Sequence, residues 1–241
     1  TQQGASSEYK GPSTAIAFDK DGNPTKAAIG FARGKKVDVA DLVVKDGYVY
    51  AVSSEEGKQT VELLPTLLKE LVEGLNFPKN MRWGDLDFRF VRPLRWLVAL
   101  YDEEVIDFTV ANVTSGRVSR GHRFLSEGDF TINKASDYEQ ACKDAFIIVD
   151  QEKRRDIIKA QIEEIAKAHN GHAEITEDLL EEVTYLVEYP TAFYGEFNED
   201  YVKLPKEVVT TPMQQHQRYF PVVKDGKLLP NFIAVRNGND Y

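Results

Sequence analysis

The densest run of groups able to do chemistry is Thr114-Ser-Gly-Arg-Val-Ser-Arg-Gly-His-Arg-Phe124, where Arg117, Arg120 and Arg123 recur at every third position beside His122. Guanidiniums spaced this way on a loop with Ser115 and Ser119 can grip phosphate oxygens through paired, charge-assisted hydrogen bonds. The plain alternative is a structural loop whose arginines pair with nearby carboxylates, as surface charges commonly do. A second run interleaves Arg82, Arg89, Arg92 and Arg95 with Trp83, Phe88, Phe90 and Trp96. Aromatics beside arginines can stack on unpaired bases, which is how single-stranded RNA is often held. In a strand the same alternation would simply bury the rings and solvate the charges. A third run, Thr210 to Pro221, carries Gln214, Gln215, His216, Gln217 and Arg218. These side chains can read RNA edges or satisfy buried backbone at a junction.

Other chemistries find no support. Gly30-Phe-Ala-Arg-Gly-Lys-Lys36 has too few residues between its glycines for a phosphate-binding loop, and Val37 stands where a magnesium-binding Ser or Thr is needed. His169, His172 and Glu174 lie close in sequence, but Gly171 breaks the helix that would align the histidines, and no third ligand is evident. No strand-turn-helix nucleophile pattern occurs, and Glu181-Glu182 needs no catalytic explanation on an amphipathic helix. The expectation is a chain with neither catalytic residues nor a metal site.

The composition sharpens this. A chain of 241 residues, 42% hydrophobic, can bury a sizeable core. No apolar run approaches the roughly 20 residues that cross a bilayer, and the polar start lacks a signal pattern. A cytoplasmic location is expected, with neither membrane nor DNA as a partner. The ends, Thr1-Gln2-Gln3 without methionine and Asn237 to Tyr241 directly after an apolar run, read as cuts in something longer. Cys142 is the only cysteine, so there is no intrachain disulfide, and its expected place is the core. The net charge of −9 excludes a coat for nucleic acid, yet residues 79–123 hold eight basic and six acidic residues, net +2, leaving 22 basic and 33 acidic elsewhere, net −11. Any RNA contact should be local.

The elements that position these runs follow from periodicity. A short helix over Thr25 to Arg33 is predicted, with Ala27, Ala28 and Phe31 on one face, followed by a strand from Tyr48 to Val52 after the Asp46-Gly47 turn. Leu64, Leu67, Leu68, Leu71 and Val72 predict an amphipathic helix between Val61 and Gly74, with Pro65 tolerable near its first turn. Phe90 to Tyr101 and Val105 to Val110 read as a β-hairpin around Asp102-Glu103-Glu104, with a helix over Leu94 to Tyr101 as the competing possibility. Asp150 and Thr176 cap two further helices, the first lined by Ile158, Ile162, Ile165 and Ala166, the second by Leu179, Leu180, Val183, Leu186 and Val187. Strands return at Ala192 to Tyr194, Tyr219 to Val223 and Phe232 to Val235, with a turn at Lys224-Asp225-Gly226. Helices and strands without regular alternation give an α+β class with mixed or antiparallel sheets. The expected organisation is an accessory subdomain over 1–59, truncated at its N-terminus, and a core domain over 60–241.

Taken together, several strings resemble one family: Phe77-Pro-Lys-Asn-Met-Arg-Trp-Gly84, Phe90-Val-Arg-Pro93, Arg120-Gly-His-Arg-Phe124, Leu179-Leu-Glu-Glu-Val183, Gln217-Arg-Tyr-Phe-Pro221 and Gly226-Lys-Leu-Leu-Pro-Asn-Phe232. Their order and spacing resemble the β subunit of bacterial glycyl-tRNA synthetase, and Lys10-Gly-Pro12 through Ala32-Arg33-Gly34 extends the likeness upstream. The resemblance implies a part of a glycine-tRNA ligase that attaches glycine to tRNA(Gly) in an α2β2 assembly. It implies that ATP and magnesium serve the α subunit, with no cofactor in this region. The implied partners are that α subunit, tRNA(Gly) and the remainder of the β chain. It also implies a fold similar to the editing domain of the phenylalanyl-tRNA synthetase β chain, and a role in positioning tRNA and in assembly. Deacylase editing and a purely structural role are the alternatives. Its RNA-facing candidates are Arg117, Arg120, His122, Arg123, Arg82, Arg92 and Arg95, then Gln217 and Arg218. The last pair rank lower because Gln214 follows Met213, where the family often has lysine.

Overall fold

The computed structural model describes residues 4–55 and 57–239, and the expected cut ends at Thr1 to Gln3 and Asp240-Tyr241 lie outside them. The chain divides into two compact units, Thr1–Leu75 and Asn76–Tyr241.

In the first unit, Tyr48–Glu55 is the central strand of an antiparallel sheet between Ala5–Ser13 and Val43–Lys45. Asp46 and Gly47 take φ of 50° and 76°, the left-handed pair that a two-residue hairpin turn requires. The helix Lys26–Gly34 turns Ala28 and Phe31 inward against Ala17 and Val49 and also buries Ala32, whereas Ala27 is exposed, so the predicted face is rotated by a residue. Before it, the Asp19 carboxylate accepts the backbone N–H groups of Asn23 at 2.8 Å and Asp21 at 2.9 Å. Those bonds favour the ionised form and hold its pKa below the ordinary aspartate value. The helix Thr60–Gly74 starts where Glu62 accepts the Gln59 N–H, and it has no buried residue. Pro65 sits a full turn inside it, at the loss of one helical hydrogen bond.

The second unit is built on an antiparallel sheet in the order His172–Ala173, Phe220–Lys224, Lys227–Asn237, Pro190–Glu196. Two helices, Gln151–Ala168 and Glu177–Leu186, close its inner side through Ile158, Ile162, Leu180 and Val183 against Phe220, Val222 and Ile233. Asp150 caps the first by accepting from Glu152 and Lys153 at 2.9 and 3.2 Å, and Thr176 caps the second. Leu186 is 60% exposed instead of facing inward, because the helix ends there and Val187, already extended, takes the buried place. Asp225 and Gly226 form the predicted turn with φ of 51° and 75°.

The long hairpin expected over Phe90 to Val110 is instead split. Residues 91–96 are irregular, since Pro93 can neither donate to a ladder nor follow a strand's φ. Leu97–Val98 then pairs in parallel with Val113–Gly116, which pairs antiparallel with Thr109–Val110. Only Leu100–Tyr101 and Glu104–Val105 make the tight hairpin. Val118–Arg120 pairs with Asp129–Thr131 in a further ladder, and the helix Tyr138–Asp144 buries Cys142. The class is α+β with mixed and antiparallel sheets and packed helices.

Candidate nucleic-acid interface

Two short strands build the candidate site. Val113–Gly116 ends at Gly116, the chain changes ladder at Arg117, and Val118–Arg120 begins a separate pairing with Asp129–Thr131. That break lets Arg117 and Arg120, three residues apart, line one groove of about 440 Å³ together with Arg95, Trp96 and Asp129. Three guanidiniums therefore meet one carboxylate. Asp129 accepts from Arg120 Nε at 2.7 Å, and the Arg120 guanidinium also lies 5.7 Å from the Trp96 ring centroid.

Arg117 is held differently. Its Nη1 donates to the Asn133 carbonyl at 3.1 Å and its Nη2 to the Glu103 carbonyl at 2.9 Å. Neutral carbonyls fix the fork without cancelling its charge. Arg95 is exposed and makes no hydrogen bond or ion pair among the described residues, and the same holds for Arg92. The groove thus carries an uncompensated positive charge, with Arg117 and Arg120 held in place and Arg95 unengaged, which suits phosphate oxygens.

The neighbouring loop is pinned from below. His122 is 1% exposed: its N–H donates to the Ala145 carbonyl at 2.9 Å, its carbonyl accepts from Ser126 N–H, and its Nδ1 accepts from Phe124 N–H at 3.3 Å. Its Nε2 is buried without a partner. His122 consequently presents nothing to solvent and instead sets the loop that exposes Arg123 and leaves Phe124 81% exposed. Gly121 is required there, because an added Cβ would stand 2.2 Å from Ser126 Oγ and 2.8 Å from Ala145 Cβ.

The remaining candidates lie apart from this groove's lining. Arg82 faces Asp87 at 3.3 Å, and Arg89 donates to Asn80. Gln217 is exposed at the end of the wide turn Met213–Gln217, and Arg218 follows at φ 58°. Arg218 is spent internally, on Glu182 at 2.7 to 2.9 Å and on the His216 carbonyl at 2.8 Å. Ser115, expected to be free for binding, is buried and donates to the Ile106 carbonyl while accepting from Phe108 N–H. Asp129 is the groove residue that sequence reasoning missed, since no spacing ties it to Arg120 before the ladder is known. His169 stacks on Tyr194 with centroids 3.5 Å apart, and among the described residues no group of three or more His, Cys, Asp or Glu is placed to hold a metal. No helix among them is long and apolar enough to cross a membrane.

A family model described as the glycyl-tRNA synthetase beta subunit matches residues 1–241. The chain belongs to the glycyl-tRNA synthetase β-subunit family. The glycine-tRNA ligase beta subunit of Clostridioides difficile is 50% identical over 238 residues, covering 97% of this chain and 35% of that protein. Its counterpart in Desulfitobacterium hafniense is 52% identical over 239 residues, covering 97% of this chain and 34% of that protein. The Bacillus subtilis subunit is 48% identical over 239 residues, at 97% and 35% coverage. The chain thus spans about a third of the length of these curated relatives.

Proposed function

We propose that this region helps to position tRNA(Gly) in a glycine-tRNA ligase, gripping phosphates in the groove of Arg95, Arg117 and Arg120. The observation that carries this is a groove in which three guanidiniums share one carboxylate, with the Arg117 fork set by neutral carbonyls. In the proposal the α subunit performs glycine activation with ATP and magnesium, and this region holds neither and has no aminoacylation activity alone. The assembly works in the cytoplasm. Kinship of fold with the editing domain of the phenylalanyl-tRNA synthetase β chain is part of the same proposal, and superposing the two backbones tests it.

The test uses full-length β chain assembled with its α subunit. Arg95, Arg117 and Arg120 changed together to Ala should raise the KM for tRNA about 30-fold or more, given two net positive charges in the groove once Asp129 is set against Arg120. Glycine adenylation should remain, and the slope of log affinity against log salt should flatten by about 2. An unaltered tRNA dependence refutes the proposal.

A scaffolding role in the α2β2 assembly has its own supporting observation. Leu67 and Leu71 of the helix Thr60–Gly74 are 54% and 60% exposed, on the same face. Changing both to Ser should lower the yield of tetramer by size-exclusion chromatography while leaving tRNA affinity alone; full tetramer yield would remove this role.

A further inference from the structure

The basic groove has a neighbour of opposite character. A second cleft of about 370 Å³ shares Trp96, Leu97 and Ser119 with it, and its other walls are Leu100, Ile132 and Tyr138, among others. Its size falls in the range of small-molecule sites, and its lining is mostly apolar and aromatic. Trp96 is 43% exposed and Tyr138 40% exposed, so part of each side chain is open to solvent, with the Arg120 guanidinium 5.7 Å from the Trp96 ring centroid. Burial pushes the Tyr138 phenol above its ordinary value. At the shared boundary stands Ser119, 9% exposed, whose hydroxyl makes no hydrogen bond among the described residues. A hydroxyl that no protein group engages, between an apolar cleft and a cationic groove, can serve a ligand with one flat apolar part and one anionic part.

Resting on the phosphate-grip proposal above, we infer that this cleft takes a single unstacked nucleobase of bound RNA, laid against Trp96 with its edge at Ser119, while its phosphate lies at Arg95. Base and phosphate of one nucleotide match the two adjoining compartments, and no covalent step is involved. The cleft adds contact to the face of a base and accordingly favours single-stranded or splayed-out RNA over an intact duplex.

The probe is fluorescein-labelled tetraadenylate, compared with an abasic ribose-phosphate tetramer of the same length, bound to the full-length β chain assembled with its α subunit. The intact assembly should bind tetraadenylate about tenfold more tightly than the abasic tetramer. Ala135 also lines the cleft, so Ala135→Leu, which fills it without changing charge, should erase that difference, and Trp96→Ala should do the same should the leucine disturb folding. Arg95→Ala should weaken both probes alike. Equal binding of the two probes by the intact assembly, or a base preference that survives both cleft variants, overturns the inference. If tRNA affinity still depends on Arg95, Arg117 and Arg120 in that case, the phosphate grip stands and the base cleft alone falls.

Discussion

The segment Arg117 to Phe124 and the turn Met213 to Tyr219 are both rich in donors, yet the fold engages their arginines differently. In the first, Arg117 is braced by carbonyls, and it shares a groove with Arg95 and with Arg120, the only one of the three paired to a carboxylate there. In the second, Arg218 is tied to Glu182 and to the His216 carbonyl, and Met213 is buried. A guanidinium neutralised by a carboxylate offers little to a phosphate, whereas one fixed by neutral acceptors keeps its field. Local density of basic and polar residues therefore does not tell how much charge a segment leaves available; the identity of each arginine's acceptor does.

The contrast breaks most visibly at the groove itself. Replacing Arg95, Arg117 and Arg120 with Ala should weaken tRNA binding by about 30-fold or more, while replacing Gln214, Gln217 and Arg218 with Ala should change it by less than about twofold, both read by filter retention. Similar losses from the two sets would erase the distinction. The next effect concerns the loop's support. Gly121→Ala forces Ser126 and Ala145 aside and should destabilise by about 1–3 kcal/mol, seen as a Tm lower by about 2–10 °C. A Tm equal to that of the parent chain would mean that the loop is not pinned there.

Smaller again is the turn's own ion pair. Arg218 and Glu182 side chains are 40% and 43% exposed, so Glu182→Gln should cost under about 1 kcal/mol in urea unfolding and leave tRNA affinity unchanged. Weakened tRNA binding would instead bring the turn into the interface. The smallest effect lies outside both segments and serves as a control for acid sensitivity. Backbone N–H groups of Lys153 and Glu152 hold the Asp150 carboxyl below its ordinary value. Its folded pKa is thus depressed, so its stabilisation is full above the ordinary aspartate value and is lost as pH falls through the folded one. Asp150→Asn keeps a capping oxygen, and the difference in Tm between it and the parent should shrink as pH falls from neutral to about 3. A constant difference would remove Asp150 from the acid response.

Much of the scaffold was legible because it depends on short-range patterning. Ile158, Ile162 and Ala166 share a helical face whatever covers them, and the left-handed turns at Asp46-Gly47 and Asp225-Gly226 follow from residues suited to positive φ. The misreadings arose where a local pattern allowed more than one partner. Phe90 to Val110 is apolar enough for a long hairpin, but Pro93 and the turn at Ala111-Asn112, with φ of 50° and 63°, divide it among two small sheets. Leu186 fits the apolar face of its helix by spacing, yet the helix ends before that face can be covered there.

The sequence by itself determined the family, the α+β class, the capped helices Gln151–Ala168 and Glu177–Leu186, and which segments carry unusual numbers of arginines. Those properties are set by residue types and by contacts a few positions apart. Only the tertiary structure decided that Arg95 joins Arg117 and Arg120 across some twenty residues of chain, that Asp129 balances one of them, that His122 is buried beneath the loop, and that Arg218 is consumed by Glu182. The reason is that a charge's availability depends on its nearest acceptor in space, and distant strands and helices supply that acceptor here.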